Sequence, residues 1–170
     1  TAHTVSLTQA EVDRLGEGSV QIEATQTDAV GNLHAGVAAT NSFVIDTIDP
    51  SVDQIADDQT GIAFDGANVV TYTLTFSEAV QSVTEGDLTV SGAESFSVAH
   101  TADTDTAYVT VTVADDSMDN VSITVNDSIV DIAGNPLIQV VDNSQTVDTV
   151  NPSTMGAPVV SDVIVSDSES

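Results

Sequence analysis

The chain of 170 residues contains no cysteine, no tryptophan and no lysine, and Arg14 is its single basic residue. Without cysteine no disulfide can form, so the rigidity of a folded domain must come from a large core or from bound metal. No apolar run approaches the roughly 18–20 residues that are needed to span a bilayer. The 27 acidic residues and the net charge of −26 repel phosphates and anionic lipids. We therefore expect neither a nucleic acid partner nor direct insertion into a membrane.

The residue types on which most enzymes depend are also scarce. His3, His34 and His100 are not spaced as zinc ligands, and we expect them to be exposed. No Gly-x-Ser-x-Gly elbow and no phosphate-binding glycine loop occurs. Carboxylates are abundant enough for a glycosidase pair, but an aromatic platform for sugars is missing, since only Tyr72, Tyr108 and four phenylalanines are present. We predict that the chain is not an enzyme.

The apolar residues that are present are mainly valine, isoleucine and alanine, interleaved with threonine, a composition that favours strands. Residues 69–76, 107–113 and 121–125 alternate apolar and polar side chains with the period of two that is typical of half-buried strands. Weaker strands are predicted over 52–56, 88–90, 96–99 and 144–147. Seven short strands between Asp, Gly and Asn turns predict an all-β fold, an antiparallel two-sheet sandwich. Residues 7–15 have weak helical character, with a strand and a turn as the alternative. The side chains expected in the core are Tyr72, Leu74, Phe76, Val109, Val111, Val113 and Ile123.

Two sequence motifs recur in the same order at a distance of about 100 residues, the size of one β-sandwich domain. The first motif reads Asp28-Ala-Val-Gly-Asn32 and then Asp131-Ile-Ala-Gly-Asn135. The second reads Asp46-Thr-Ile-Asp-Pro50 and then Asp148-Thr-Val-Asn-Pro152. Proline fixes φ and keeps the residue before it extended, so each Asp-Thr-x-x-Pro motif predicts a short, stiff connection between domains.

These connections divide the chain into three parts. Residues 1–49 are predicted to be the C-terminal part of a preceding Ig-like domain, 50–149 a complete Ig-like domain, and 150–170 a linker with the first strand of a following domain. Because half a sandwich cannot bury its sheet face, we expect the first part either to be completed by further residues or to be less well ordered.

Residues 74–80 (Leu-Thr-Phe-Ser-Glu-Ala-Val) and 83–90 (Val-Thr-Glu-Gly-Asp-Leu-Thr-Val) resemble the bacterial Ig-like tandem repeats of large surface adhesins and biofilm-associated, RTX-type proteins. The resemblance extends over the central domain, including its Asp-x-Ala-Gly-Asn turn and its Asp-Thr-x-x-Pro junction. It implies an extracellular, cell-surface spacer that holds a ligand-binding tip away from the cell, with neighbouring Ig-like domains as partners and calcium at the junctions. Asn151 stands where the first junction has Asp49, which implies unequal calcium affinity at the two junctions.

The order of strands in a sandwich brings the turn at Asp131 to the pole at which the chain enters the domain. We predict a calcium site there, because Ca²⁺ takes about six to eight oxygen ligands and several carboxylates converge. The predicted ligands at this pole are Asp46, Asp49, Asp53, Glu78 and Asp131, and the loop predicted to carry Glu78 also contributes Glu85 and Asp87 to the acidic cluster. Asp28 is the counterpart of Asp131 in the first part of the chain. At the opposite pole a second site is predicted around Asp148, with Asp57, Asp58, Asp65, Asp115, Asp116 and Asp119.

Other interpretations of the acidic residues and of the domain stay open at this level. Asp and Asn form turns by bonding nearby backbone, with Gly31 and Gly134 supplying a positive φ. The acidity can also be a solubility adaptation. Besides a spacer, the sequence is compatible with a carbohydrate- or protein-binding Ig-like module of an adhesin, or with an accessory sandwich domain of a secreted enzyme.

Overall fold

The computed structural model describes residues 4–33, 39–64, 66, 68–138 and 141–152. Within them the chain is mainly β-strand, with a single α-helix, α1 (Gln9–Leu15). Thr8 and Glu11 form a capping box at its start, which satisfies backbone N–H groups that the helix leaves unpaired. The helical interpretation of residues 7–15 is therefore correct and the strand alternative is wrong. No helix in these ranges is long and apolar enough to cross a membrane. The predicted linker and strand beyond residue 152, with His3, His34 and Asp65, lie outside the described residues.

The strands form two sheets of unequal size, a short parallel pair and a separate hairpin. The larger sheet has the order β3-β5-β8-β7 and the smaller one β10-β9-β6, and all neighbours within these two sheets are antiparallel. In chain order the strands are β1 (Gly18–Ala24), β2 (Ala39–Ile45), β3 (Val52–Asp57), β4 (Ala63–Phe64), β5 (Val69–Val80), β6 (Leu88–Ser91), β7 (Ser95–His100), β8 (Thr104–Thr112), β9 (Val121–Val125), β10 (Val141–Gln145) and β11 (Val147–Asp148).

One hydrophobic core joins the two sheets. β5 between Val70 and Phe76, and β9 throughout, bury every second side chain, as their alternating sequences predict. The predicted core residues are confirmed, since none of them is more than 2% exposed. They are Tyr72, Leu74, Phe76, Val109, Val111, Val113 and Ile123.

The short parallel pair β4–β11 departs from the antiparallel arrangement predicted for the strands. After β3 the chain leaves the larger sheet, and β4 runs beside β11, which follows β10 after one residue. The backbone N–H of Ala63 donates to the carbonyl of Thr146 at 3.0 Å, and the buried amide of Gln145 donates to the carbonyls of Gly61 and Thr146. The chain therefore pairs with β5 along β3 and then with β11 along β4.

The hairpin of β1 and β2 is antiparallel from Gly18 opposite Ile45 to Ala24 opposite Ala39. Like β9 and β10, these two strands have a copy of the Asp-x-x-Gly-Asn motif between them. Ile45 is buried, whereas Ile22 is 40% exposed. The interpretation of residues 1–49 as part of a preceding domain stays a prediction.

Candidate functional site

The second copy of the repeated turn, residues 131–135, is closed by the side chain of Asp131. Its Oδ1 accepts hydrogen bonds from the backbone N–H groups of Gly134 (2.6 Å) and Asn135 (2.8 Å), and its Oδ2 accepts one from the Asn135 side-chain amide (2.7 Å). Gly134 has a φ of +100°, a conformation that costs glycine less than any residue with a Cβ. The Asp, the Gly and the Asn of the motif therefore each have a structural task in the turn.

The first copy, residues 28–32, is closed by Asp28 in a similar way, with one backbone donor that differs from those of the second copy. Asp28 Oδ1 accepts from the backbone N–H groups of Val30 (3.0 Å) and Asn32 (2.8 Å), and Oδ2 accepts from the Asn32 amide at 2.8 Å. Gly31 has a φ of +94°. The turn-forming role predicted for Gly31 and Gly134 is confirmed, and these hydrogen bonds explain by themselves why Asp, Gly and Asn recur.

The two turns differ in their surroundings. Asp28 is exposed, whereas Asp131 is 0% exposed, and Asp131 forms an antiparallel bridge with Val80 at the end of β5. The Asn135 amide also donates to the backbone carbonyl of Asp46 at 3.2 Å. The second turn is thus packed between the end of β5 and the segment that enters the two-sheet domain.

This packing brings three carboxylates together, those of Asp46, Glu78 and Asp131. One oxygen atom of each lies within 4.8 Å of the other two, and Asp46 and Glu78 are half-buried. We call this group the junction cluster. Asp46 comes from the segment after β2, Glu78 from the end of β5 and Asp131 from the turn after β9. The junction cluster therefore joins residues that are up to 85 positions apart in the sequence.

The three carboxylates of the junction cluster repel one another when they are ionised. Burial raises the pKa of Glu78, and the negative charges of Asp46 and Asp131 raise it further. Burial also acts against the ionised form of Asp131, but the hydrogen bonds donated by Asn135 and Gly134 outweigh it and lower the Asp131 pKa. Asp131 is thus held as a carboxylate, and Glu78 is the member whose ionisation the other two disfavour.

The chemistry of the junction cluster fits a hard divalent cation. Carboxylate oxygens are ligands of Ca²⁺ and Mg²⁺, whereas zinc sites mostly use histidine and cysteine. Asp131 Oδ2 accepts one hydrogen bond and a carboxylate oxygen can accept two, so the turn leaves this atom able to bind a cation. Because calcium takes about six to eight oxygens, water or backbone carbonyls would have to complete the shell.

No protein-family model, no curated protein and no solved structure matches the chain.

The other four predicted ligands do not belong to the junction cluster. Asp49, Asp53, Asp28 and Asp148 are all exposed. Asp53 accepts a hydrogen bond from the Ser51 hydroxyl at 3.4 Å, and Asp148 accepts one from a backbone N–H two residues along the chain at 3.2 Å. Their part in metal binding stays a prediction.

At the opposite pole the predicted carboxylates are engaged separately. Asp58 Oδ1 accepts from the backbone N–H of Thr71 (3.0 Å) and from the Gln59 amide (2.9 Å), and Asp57 accepts from the backbone N–H of Gln59 (2.9 Å). In the ranges that the structure describes, no three carboxylates of this pole approach one another as those of the junction cluster do.

The threonine of the Asp-Thr-x-x-Pro motif has a role that the sequence analysis missed. The buried Thr149 donates its hydroxyl to the carbonyl of Ala114 (2.8 Å) and accepts from the backbone N–H of Ser117 (2.8 Å). In the first copy, Thr47 donates from its backbone N–H and its hydroxyl to the Glu17 carboxylate. Each threonine therefore forms hydrogen bonds between the end of a hairpin and the residues before that hairpin. The sequence signal for this role was that threonine recurs at the same position of both motifs.

His100 is half-buried rather than exposed as predicted. Its Nδ1 accepts the backbone N–H of Val83 at 3.1 Å, and its Nε2 lies 3.1 Å from the carbonyl of Thr104. A neutral imidazole with the proton on Nε2 satisfies both contacts. His100 therefore has a structural role, holding the loop after β5 against β8.

Proposed function

We propose that this chain is a spacer segment of a secreted bacterial surface adhesin, built from Ig-like β-sandwich domains in tandem and stiffened by calcium at a junction. The order of strands in the two sheets carries the proposal. An Ig-like sandwich has strands A, B, E and D in one sheet and C, F and G in the other. When β3 and β5–β10 are lettered A to G in chain order, the observed orders become A-B-E-D and G-F-C.

The repeated motifs support the tandem arrangement. In both turns the backbone N–H and the side-chain amide of the asparagine donate to the aspartate carboxylate, and each turn follows one strand of a hairpin and precedes the other. On this basis β1 and β2 are strands F and G of a neighbouring Ig-like domain, which is the partner of the central domain within the same chain. Pro50, which is buried, restricts the backbone of the connection.

The composition of the surface favours a spacer over a carbohydrate-binding module. Among the side chains that the structure describes, Tyr108, at 49%, is the one exposed large aromatic residue. Sugars are commonly bound on aromatic faces, and a single exposed tyrosine does not make such a platform. Nothing in the described part of the chain favours an accessory role in a secreted enzyme over a spacer.

Calcium enters the proposal through the junction cluster. A cation bound by Asp46, Glu78 and Asp131 ties the segment before the central domain to two elements of that domain, so a rotation at the junction would break metal–ligand bonds. Extracellular calcium modules bind with Kd values on the order of 10⁻⁴–10⁻³ M, weak enough for the site to be empty inside a cell and occupied outside. Binding to the folded state alone stabilises it by about 2.7 kcal/mol at a hundredfold excess over Kd.

The test compares thermal unfolding and small-angle scattering with calcium and with a chelator. Glu78→Gln is the informative variant, because Glu78 makes none of the turn hydrogen bonds, whereas replacing Asp131 would also open the turn. Glu94→Gln is the matched control, since Glu94 is exposed, lies outside the junction cluster and undergoes the same change of charge.

Calcium should raise the unfolding temperature of the wild type and of Glu94→Gln, and should narrow the range of junction angles in both. The response should be lost or strongly weakened in Glu78→Gln. An equal response of all three proteins, or no response in the wild type, would exclude the junction cluster as a calcium site and leave the acidity as a surface adaptation.

A further inference from the structure

The side-chain amide of Asn135 makes two contacts that belong to different parts of the chain. Its Nδ2 donates to Asp131 Oδ2 at 2.7 Å, inside the turn, and to the backbone carbonyl of Asp46 at 3.2 Å, 89 positions earlier. A primary amide carries two N–H donors on one nitrogen, so both contacts can form together. Asn135 thus connects the turn to the segment that enters the domain.

Asn32 occupies the corresponding position in the first copy of the motif. Its Nδ2 donates to Asp28 Oδ2 at 2.8 Å, the counterpart of the bond within the second turn. Asn32 is exposed, and no cross-junction bond of the Asn135 kind is found for it in the described part of the chain. The bond within the turn is therefore shared by both copies, and among the described residues the bond to a distant carbonyl is found for Asn135.

The entering segment, residues 46–51, is held at both of its ends. At its start Asn135 binds the carbonyl of Asp46. At its end the backbone N–H of Ser51 donates to the Ser77 hydroxyl (3.0 Å), and the backbone N–H of Ser77 donates to the carbonyl of Ser51 (2.9 Å). These contacts use backbone and neutral polar groups, so they do not depend on the ionisation of the carboxylates or on a cation.

We infer that Asn135 is a positioning residue that fixes the junction by a direct hydrogen bond to the entering backbone, independently of calcium. Residues without a second donor on the same atom cannot replace it, because one N–H is needed for the turn and the other for the carbonyl of Asp46. The inference rests on the proposed junction at Pro50 but not on metal binding there, and the two can fail separately.

The experiment measures the distance across the junction in the presence of chelator. Because the chain has no cysteine, two can be introduced without background, at the exposed Ser19 in β1 and Ser97 in β7. Spin labels at these sites report a distance distribution by pulsed electron resonance. The distribution is compared for the parent protein, Asn135→Ala and Asn32→Ala, two variants that lose the same Asn–Asp bond within a turn.

In chelator the parent and Asn32→Ala should give the same distance distribution, and Asn135→Ala a broader or shifted one. Equal distributions in Asn135→Ala and Asn32→Ala would overturn the inference. A distribution in the parent that is as broad in chelator as that of Asn135→Ala would also overturn it, whereas the effect of added calcium tests the metal site separately.

A second measurement needs no substitution and covers the case in which Asn135→Ala fails to fold. The side-chain amide protons of Asn135 should exchange with solvent more slowly than those of Asn32 in the intact protein with chelator. A hydrogen bond of ordinary net strength corresponds to roughly fivefold slower exchange. Equal exchange rates at Asn135 and Asn32 would contradict the bond across the junction.

Discussion

Replacing Tyr72 by phenylalanine should make the protein more stable. Tyr72 lies in the middle of the core on β5 and is 0% exposed. Its hydroxyl has no hydrogen-bond partner within the described residues. A buried hydroxyl that loses its water without gaining a partner costs about 1–3 kcal/mol. Phenylalanine keeps the ring and its packing and removes that cost, so we expect a gain of about 1 kcal/mol at neutral pH.

The same environment gives the prediction a second, independent part at high pH. Burial raises the pKa of Tyr72 from 10.0 to about 12, with smaller contributions from the charges of Asp57 and Asp58. A group whose pKa is raised by folding supports the folded state below its unfolded pKa, and this support is lost as the pH rises through the folded pKa. The wild type should therefore lose about 2–3 kcal/mol between about pH 10 and pH 12.

The composition makes this loss easy to observe. With no lysine and no cysteine, tyrosine is the main side chain that titrates in this range, and the second tyrosine, Tyr108, is 49% exposed. The measurement is urea unfolding at a series of pH values for the wild type, Tyr72→Phe and the control Tyr108→Phe. The loss of stability between about pH 10 and pH 12 should persist in Tyr108→Phe and be mostly absent from Tyr72→Phe. A destabilised Tyr72→Phe at neutral pH would reveal a partner for the hydroxyl and refute the reasoning, as would an unchanged alkaline loss in that variant.

Three further predictions concern the core, a tight turn and the junction cluster. Leu74→Ala should lower the free energy of unfolding by about 2–5 kcal/mol, measured by urea unfolding, because it leaves a cavity in a fully buried site; a cost below 1 kcal/mol would contradict the packing. Gly92→Ala should lower the free energy of unfolding by more than the roughly 1 kcal/mol that an αL conformation costs a residue with a Cβ. Gly92 has a φ of +72°, and a Cβ there would also lie 2.8 Å from the carbonyl carbon of Asn120. A variant that unfolds at nearly the same temperature as the wild type would refute this prediction. In chelator at neutral pH Glu78→Gln should unfold at a higher temperature than the wild type, because the raised pKa of Glu78 marks a charge that disfavours folding. This difference in unfolding temperature should disappear as the pH falls below the usual carboxyl range, where Glu78 is protonated in the folded and the unfolded state. A difference that persists in acid would exclude the charge of Glu78 as its cause.

Local features of the sequence were sufficient to predict the repeated turns and strands that overlap β3 and β5–β10, whereas β1, β2 and β4 were not predicted. The side chains of a strand alternate between its faces, so the valines and threonines of 69–76 and 121–125 identified both the strands and the residues that they bury. The Asp-x-x-Gly-Asn motif predicted a turn in the same way, because Asp131 bonds backbone groups within four positions and Gly134 takes a positive φ. Such interactions depend on neighbours in the chain and can be inferred without a structure.

Only the tertiary structure decided which acidic residues meet. Asp49 and Asp53 are nearer to Asp46 in sequence than Glu78 and Asp131 are, yet Asp49 and Asp53 are exposed and the other three form the junction cluster. The reason is that the end of β5 and the turn after β9 pack against one another, and the backbone at residues 46–51 is held between Asn135 and Ser77. The pairing of β4 with β11 and the contact from Asn135 to Asp46 depend in the same way on where separate strands end, which no periodicity in the sequence records.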